Sequence, residues 1–252
     1  MGSSLPCVER NEADLPPQTK ALRPAFKYRS HFAESPVYVT LGQYRVVRLS
    51  AGSLDAFFQS SVRDQLLYRY KAELMSQWPD EEAALLVCGL GEDQGRYTVL
   101  TFNCMGGVEE LRRSIEHTLT RYQLVQKLDL LGCGGAGAGL YFLFRNCAHP
   151  RTAPKVQELP LSTTALQLET HLNGLSAQRL SYRLALSTPS ALFLVLGQEP
   201  ESGSYIVLDL GRDSLLERVA AELEKNAKNE RMTVIGLAAT PSSAMLVYLY
   251  HT

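Results

Sequence analysis

The sequence predicts an α+β protein made of two tandem copies of one β-α-β-β-α-β-β unit, with mainly antiparallel sheets, helices on one face and a pseudo-two-fold arrangement of the copies. Three observations carry this. A stretch recurs without a gap at an offset of 108 positions, placing Ala83, Leu86, Val87, Gly89, Gly95, Tyr97, Val99 and Leu100 on identical residues in the segment from Ala191 to Leu208. A helical pattern follows both times. Two further apolar runs then close each copy, ending in Leu140–Phe144 and Leu246–Tyr250. The chain divides accordingly into an arm (1–36), a first repeat (37–146), a linker (147–154) and a second repeat (155–252).

The arm carries Pro6, Pro16, Pro17, Pro24 and Pro36, which exclude a long helix or a central strand. Its second part interleaves cations with aromatic residues: Lys20, Arg23, Phe26, Lys27, Tyr28, Arg29 and Phe32, with no acid between Asp14 and Glu34. That pattern suits a docking segment that lays aromatic anchors and positive charge on an acidic protein partner. The composition suits a solvated tail equally well.

The first repeat opens with two β-branched, aromatic stretches, Val37–Leu41 and Tyr44–Leu49, parted by Gly42. Ser53 can cap a helix on which Leu54, Phe58, Val62, Leu66, Leu67 and Tyr70 share one side, about five turns long. Trp78-Pro79-Asp80 stops it. Ala83–Leu90 and Arg96–Phe102 read as a hairpin around Gly91–Gly95. Val108, Leu111, Ile115, Leu119 and Tyr122 trace the next helix, and Lys127–Leu131 and Leu140–Phe144 are strands. In the second repeat, Lys155–Leu159 is a strand and Leu166, Leu168, Leu172 and Leu175 lie on a helix. Arg179–Leu186 is an additional strand, less evident in the first copy. Ser190–Leu196 and Tyr205–Leu210 form the aligned hairpin. Ser214 with Glu217 makes a capping box. Leu215, Val219, Leu223 and Ala227, with Leu216 and Ala220 beside them, form the buried stripe of the last helix. Met232–Leu237 and Ala244–Tyr250 end the chain.

The most conspicuous local feature is Gly132–Gly139, which contains G-x-G-x-x-G at Gly132, Gly134 and Gly137, with Gly135 between. A phosphate cradle requires such glycines at a helix N-terminus. The aromatic run that follows, and the loop Ala238–Ser243 that aligns with it, favour a connection between strands. A ligand site between the repeats near Gly132, Gly134, Gly135 and Gly137 is the alternative function class, enzyme or small-molecule binder.

The rest of the sequence points away from dedicated chemistry. The five histidines are dispersed and no C-x-x-C occurs, so no metal set is implied. No cofactor is implied. Gly174-Leu175-Ser176-Ala177 has Gln178 where a nucleophile elbow needs glycine. A net charge of −1 argues against a nucleic-acid binder. No apolar run reaches transmembrane length, and Pro6 disrupts a myristoylation pattern. Five cysteines without a signal peptide read as free thiols in a cytoplasmic or other reducing intracellular compartment, Cys88 and Cys133 acting as small hydrophobes. The expected function is a non-enzymatic interaction or scaffold subunit of a larger assembly.

Overall fold

Among the described residues, fourteen strands and five α-helices, in mostly antiparallel sheets, make this an α+β protein. The computed structural model describes residues 26–27, 36–50, 52, 54–78, 83–91, 97–103, 107–134, 139–146, 152–199 and 201–252. In the first half these form β1 (Phe26–Lys27), β2 (Val37–Leu41), β3 (Tyr44–Ser50), α1 (Leu54–Phe58), α2 (Ser61–Leu66), β4 (Tyr70–Gln77), β5 (Ala83–Leu90), β6 (Tyr97–Asn103), α3 (Val108–Thr120), β7 (Leu128–Gly134) and β8 (Gly139–Asn146). The second half contains β9 (Lys155–Leu159), α4 (Ala165–Leu175), β10 (Ser181–Ser187), β11 (Leu192–Gly197), β12 (Ser204–Gly211), α5 (Leu215–Asn226), β13 (Met232–Ala239) and β14 (Ala244–Tyr250).

An eight-stranded sheet runs β1-β2-β3-β5-β4-β7-β8-β6. Among the described residues, its one parallel contact joins β4 to β7 at Met75 and Gly132. Two three-stranded sheets, β10-β11-β9 and β12-β14-β13, complete the chain, and β10 lies against β13. The strand order β3-β5-β4 thus recurs as β9-β11-β10, and β7-β8-β6 as β13-β14-β12.

Local sequence explains the central elements. Ala83–Gly89 is buried at every position, as a near-continuous apolar run should be when both faces and both edges of a strand are covered. In α5, Leu215, Leu216, Val219, Ala220 and Leu223 form one buried stripe. In α3, buried Leu111, Ile115 and Leu119 recur every fourth residue.

Several expectations are corrected. The stretch from Leu54 to Gln77 is not one helix. Ser60 ends α1, donating its hydroxyl to Phe57 O at 2.8 Å, and caps α2 by accepting from Arg63 N at 3.4 Å. Arg69 then takes a left-handed conformation (φ 63°) and the chain enters β4. Each half therefore has a strand that the expected unit lacks, β4 in the first matching β10 in the second, and the first half adds β1 and β2 outside β3. The proposed hairpins are also absent. β5 pairs with β3 and β4, whereas β6 pairs with β8; β11 pairs with β10 and β9, whereas β12 pairs with β14. Ser214 makes no side-chain cap, because its backbone is left-handed (φ 50°). Ser53 lies outside the described residues.

Helices also cover both faces of the central strands. α1 and α2 pack on the side of Val47, Ala84, Leu86 and Cys88. The opposite side, with Val39, Val46, Leu85 and Val87, packs against α5 of the second half. Reciprocally, α3 of the first half lies on β9, and its Leu111, Ile115 and Leu119 join Val156, Leu184, Leu186, Phe193 and Val195. Two of the four apolar clusters are therefore shared between the halves.

Candidate interaction surface

Of the seven arm residues with docking chemistry, Phe26 and Lys27 are described; Lys20, Arg23, Tyr28, Arg29 and Phe32 lie outside the described residues. Phe26 and Lys27 form β1, opposite Tyr38 and Val37 of β2. The segment thus meets the body by backbone pairing at the end of the large sheet, beside strands that are firmly held. The Arg45 guanidinium lies over the rings of Tyr38 (5.2 Å) and Tyr70 (4.2 Å). It also donates to Thr40 Oγ1 at 3.0 Å and to the carbonyl of Leu66. One side chain thereby ties β2, β3, β4 and the end of α2, and cation–π contacts of this kind contribute about 0.5–2 kcal/mol each.

At the turn between β2 and β3, acidic groups from both halves converge. Gln43 N donates to Glu224 Oε2 at 3.2 Å. The Glu73 carboxylate lies against Gly89, where a Cβ would fall 2.3 Å from Oε1. Burial, with the charges of Glu73 and Glu224, pushes the Tyr44 phenol above its ordinary value. Burial likewise raises the Glu73 carboxyl, against the opposing pull of Lys71 and Arg145. Because the folded state holds that proton more tightly than the unfolded chain, the associated stability is present at low pH and is lost as pH rises through the raised value. Glu73→Gln is accordingly expected to unfold at higher urea than the wild type at pH 7, with the two converging near about pH 4; unfolding curves at both pH values test this. Equal midpoints at pH 7 would show that the carboxylate carries no burial cost.

The described ends of the glycine run lie in strands that pair antiparallel, β7 and β8. Gly132 and Gly134 belong to β7 and Gly139 to β8; Gly135 and Gly137 lie outside the described residues. Among the described residues of the run, the chain is strand on both sides and no helix begins, so nothing described there supplies the helix N-terminus that would hold a phosphate. Gly132 has a different use: a Cβ on it would lie 1.7 Å from Met75 O.

Several other polar groups are occupied by structural bonds. The Tyr205 hydroxyl accepts from Tyr182 N at 3.0 Å and reaches Glu201 Oε2 at 3.2 Å, and burial pushes it up to about 12. Hydrogen bonds from Arg112 and Arg113 hold exposed Glu109 down at about 2. His171, lowered by burial, contacts Gln157 Oε1 at 2.9 Å. Cys88 and Cys133 are buried. Among the described residues, no three His, Cys, Asp or Glu side chains gather as metal ligands, and no helix is long and apolar enough to cross a membrane.

Sequence reasoning missed every polar group that spans the halves. Ser76 donates to Leu237 O at 2.8 Å, and Gln77 donates to Ser187 O at 2.7 Å while accepting from Ser187 N. These partners stand 161 and 110 positions apart, and no local spacing announces them. No family model, curated protein or solved structure matches the chain.

Proposed function

We propose that this protein is a non-enzymatic interaction subunit of a larger intracellular assembly, with its N-terminal basic-aromatic arm as the docking segment and an acidic protein surface as partner. The observation that carries the reading is β1. Phe26 and Lys27 pair in register with Tyr38 and Val37, so these two arm residues extend the sheet at its end. Strand addition orders a segment through backbone bonds and leaves its side chains to choose the partner. Cations spaced among aromatic residues suit that choice, because rim charge steers association and aromatic anchors supply contact area.

Deleting residues 1–36 tests this. The shortened protein is expected to retain the cooperative melt of the full chain and to recover its co-purifying partner at least about tenfold less, the loss of roughly one anchor's contribution. Undiminished recovery by a folded, shortened protein would remove the arm's docking role.

A further inference from the structure

The two outermost strands that align at the 108-position offset are protected differently. The edge of β12 is closed by α4. Asn173 Nδ2 donates to Tyr205 O at 3.0 Å, Tyr205 N donates to Asn173 Oδ1 at 2.8 Å, and Val207 N donates to Glu169 Oε2 at 2.8 Å. Tyr205 and Val207 are buried beneath that helix. Their aligned residues, Tyr97 and Val99, lie on β6, the last strand of the eight-stranded sheet. β6 pairs with β8 in the matching register, Tyr97 opposite Arg145 as Tyr205 is opposite Leu249. The outward amides of β6 are therefore those of Tyr97, Val99 and Thr101. The helix that reaches β6 is α1, only five residues long. Among the described residues, no side chain bonds the amides of Val99 or Thr101.

We propose that β6 is the site at which a second copy of this chain adds, antiparallel, about a two-fold axis at Val99. The strand Tyr-Thr-Val-Leu-Thr-Phe-Asn has no charge and no proline, so it lacks the devices that keep edge strands apart. Both of its faces are apolar: Tyr97 and Val99 pack toward one cluster, Leu100 and Phe102 toward another. None of the four is fully buried, and Thr101 is exposed. A charged segment would set its charges against these half-buried groups without counter-ions, whereas a neutral strand would not. A two-fold axis at Val99 places Val99 opposite itself, Tyr97 opposite Thr101 and Thr98 opposite Leu100. These are β-branched, aromatic and apolar pairs with no like charges facing. The site lies at the far end of the sheet from β1, so it is independent of docking by the arm.

Light scattering of the full chain across about 1 to 100 µM tests this. The expected mass at the upper end is twice 27.9 kDa. Val99→Pro and, separately, Thr101→Pro each remove one outward amide without breaking the ladder to β8, as edge strands tolerate. Each is expected to weaken dimerisation at least tenfold with the melt retained. Hydrogen exchange on the wild type needs no variant: amides of Val99 and Thr101 should gain protection as concentration rises. A wild type that stays monomeric throughout, or a dimer whose Val99 and Thr101 amides gain no protection, overturns the proposal. So does a folded pair of proline variants that still dimerise.

Discussion

Gly132→Ala is expected to cost more than about 3 kcal/mol, the upper end of what overpacking usually does. The added Cβ would lie 1.7 Å from Met75 O, 2.5 Å from Met75 C and 2.7 Å from Met75 N. All three are backbone atoms, so no rotamer change clears them. Met75 and Gly132 form the parallel contact that joins the β3-β5-β4 strands to the β7-β8-β6 strands. Clearing the clash means prising the sheet apart at that junction, which buried Met75 and Cys133 line.

Two comparison variants make the expectation specific. At Gly236, which aligns with Gly132, a Cβ would meet the ring of Tyr182 at 2.4 Å. A side chain can give where backbone cannot, although Tyr182 is only 1% exposed, so Gly236→Ala should fall between the extremes. At Gly174, within α4, a Cβ meets nothing within 4 Å. Gly174→Ala should therefore gain up to about 1 kcal/mol, the ordinary helix-propensity difference. Urea midpoints of the three variants should rank Gly132→Ala below Gly236→Ala below Gly174→Ala. A Gly132→Ala protein within 1 kcal/mol of wild type would mean that β4 and β7 are not in close contact.

The difference between Gly132 as a ligand glycine and Gly132 as a contact point shows where sequence reading stops. Elements with a private periodicity were legible: β5 from its unbroken apolar run, and α3 and α5 from their buried stripes. β4 was not, because Tyr-Lys-Ala-Glu-Leu-Met-Ser-Gln is rich in good helix formers and becomes a strand only between β5 and β7. Its counterpart β10 was legible because flanking turns isolate it. Strand partners were misjudged for a related reason. Neighbouring strands usually pair, but both edges of β5 are already taken, by β3 and β4, which leaves β6 to join β8. At the candidate surface, cations and aromatics in the arm were visible as composition. The Glu73–Tyr44–Glu224 group and the Asn173 and Glu169 bonds to β12 were not, since each joins residues that only the fold brings together.

Neither half of the chain is expected to fold alone. Removing residues 152–252 uncovers the face bearing Val39, Val46, Leu74, Leu85 and Val87, which α5 and its sheet now bury. At about 1.5–3 kcal/mol for each buried side chain, those five account for roughly 8–15 kcal/mol. That is as large as the whole stability of an ordinary domain, about 5–15 kcal/mol. The loss is reciprocal: without the first half, Val156, Leu184, Leu186, Phe193 and Val195 lose Leu111, Ile115 and Leu119 of α3. Strand pairing within each half does not offset this, because the exposed face is apolar whether or not its backbone is bonded. Polypeptides 26–146 and 152–252 should therefore each lack a cooperative urea transition. Mixed after joint refolding, they should recover one and elute as a one-to-one complex, since the shared clusters need no covalent link. A cooperative transition from either polypeptide by itself would show that the exchanged helices are accessories on two independent cores. Its absence, with recovery on mixing, would show that the exchange of α3 and α5 is what completes the fold.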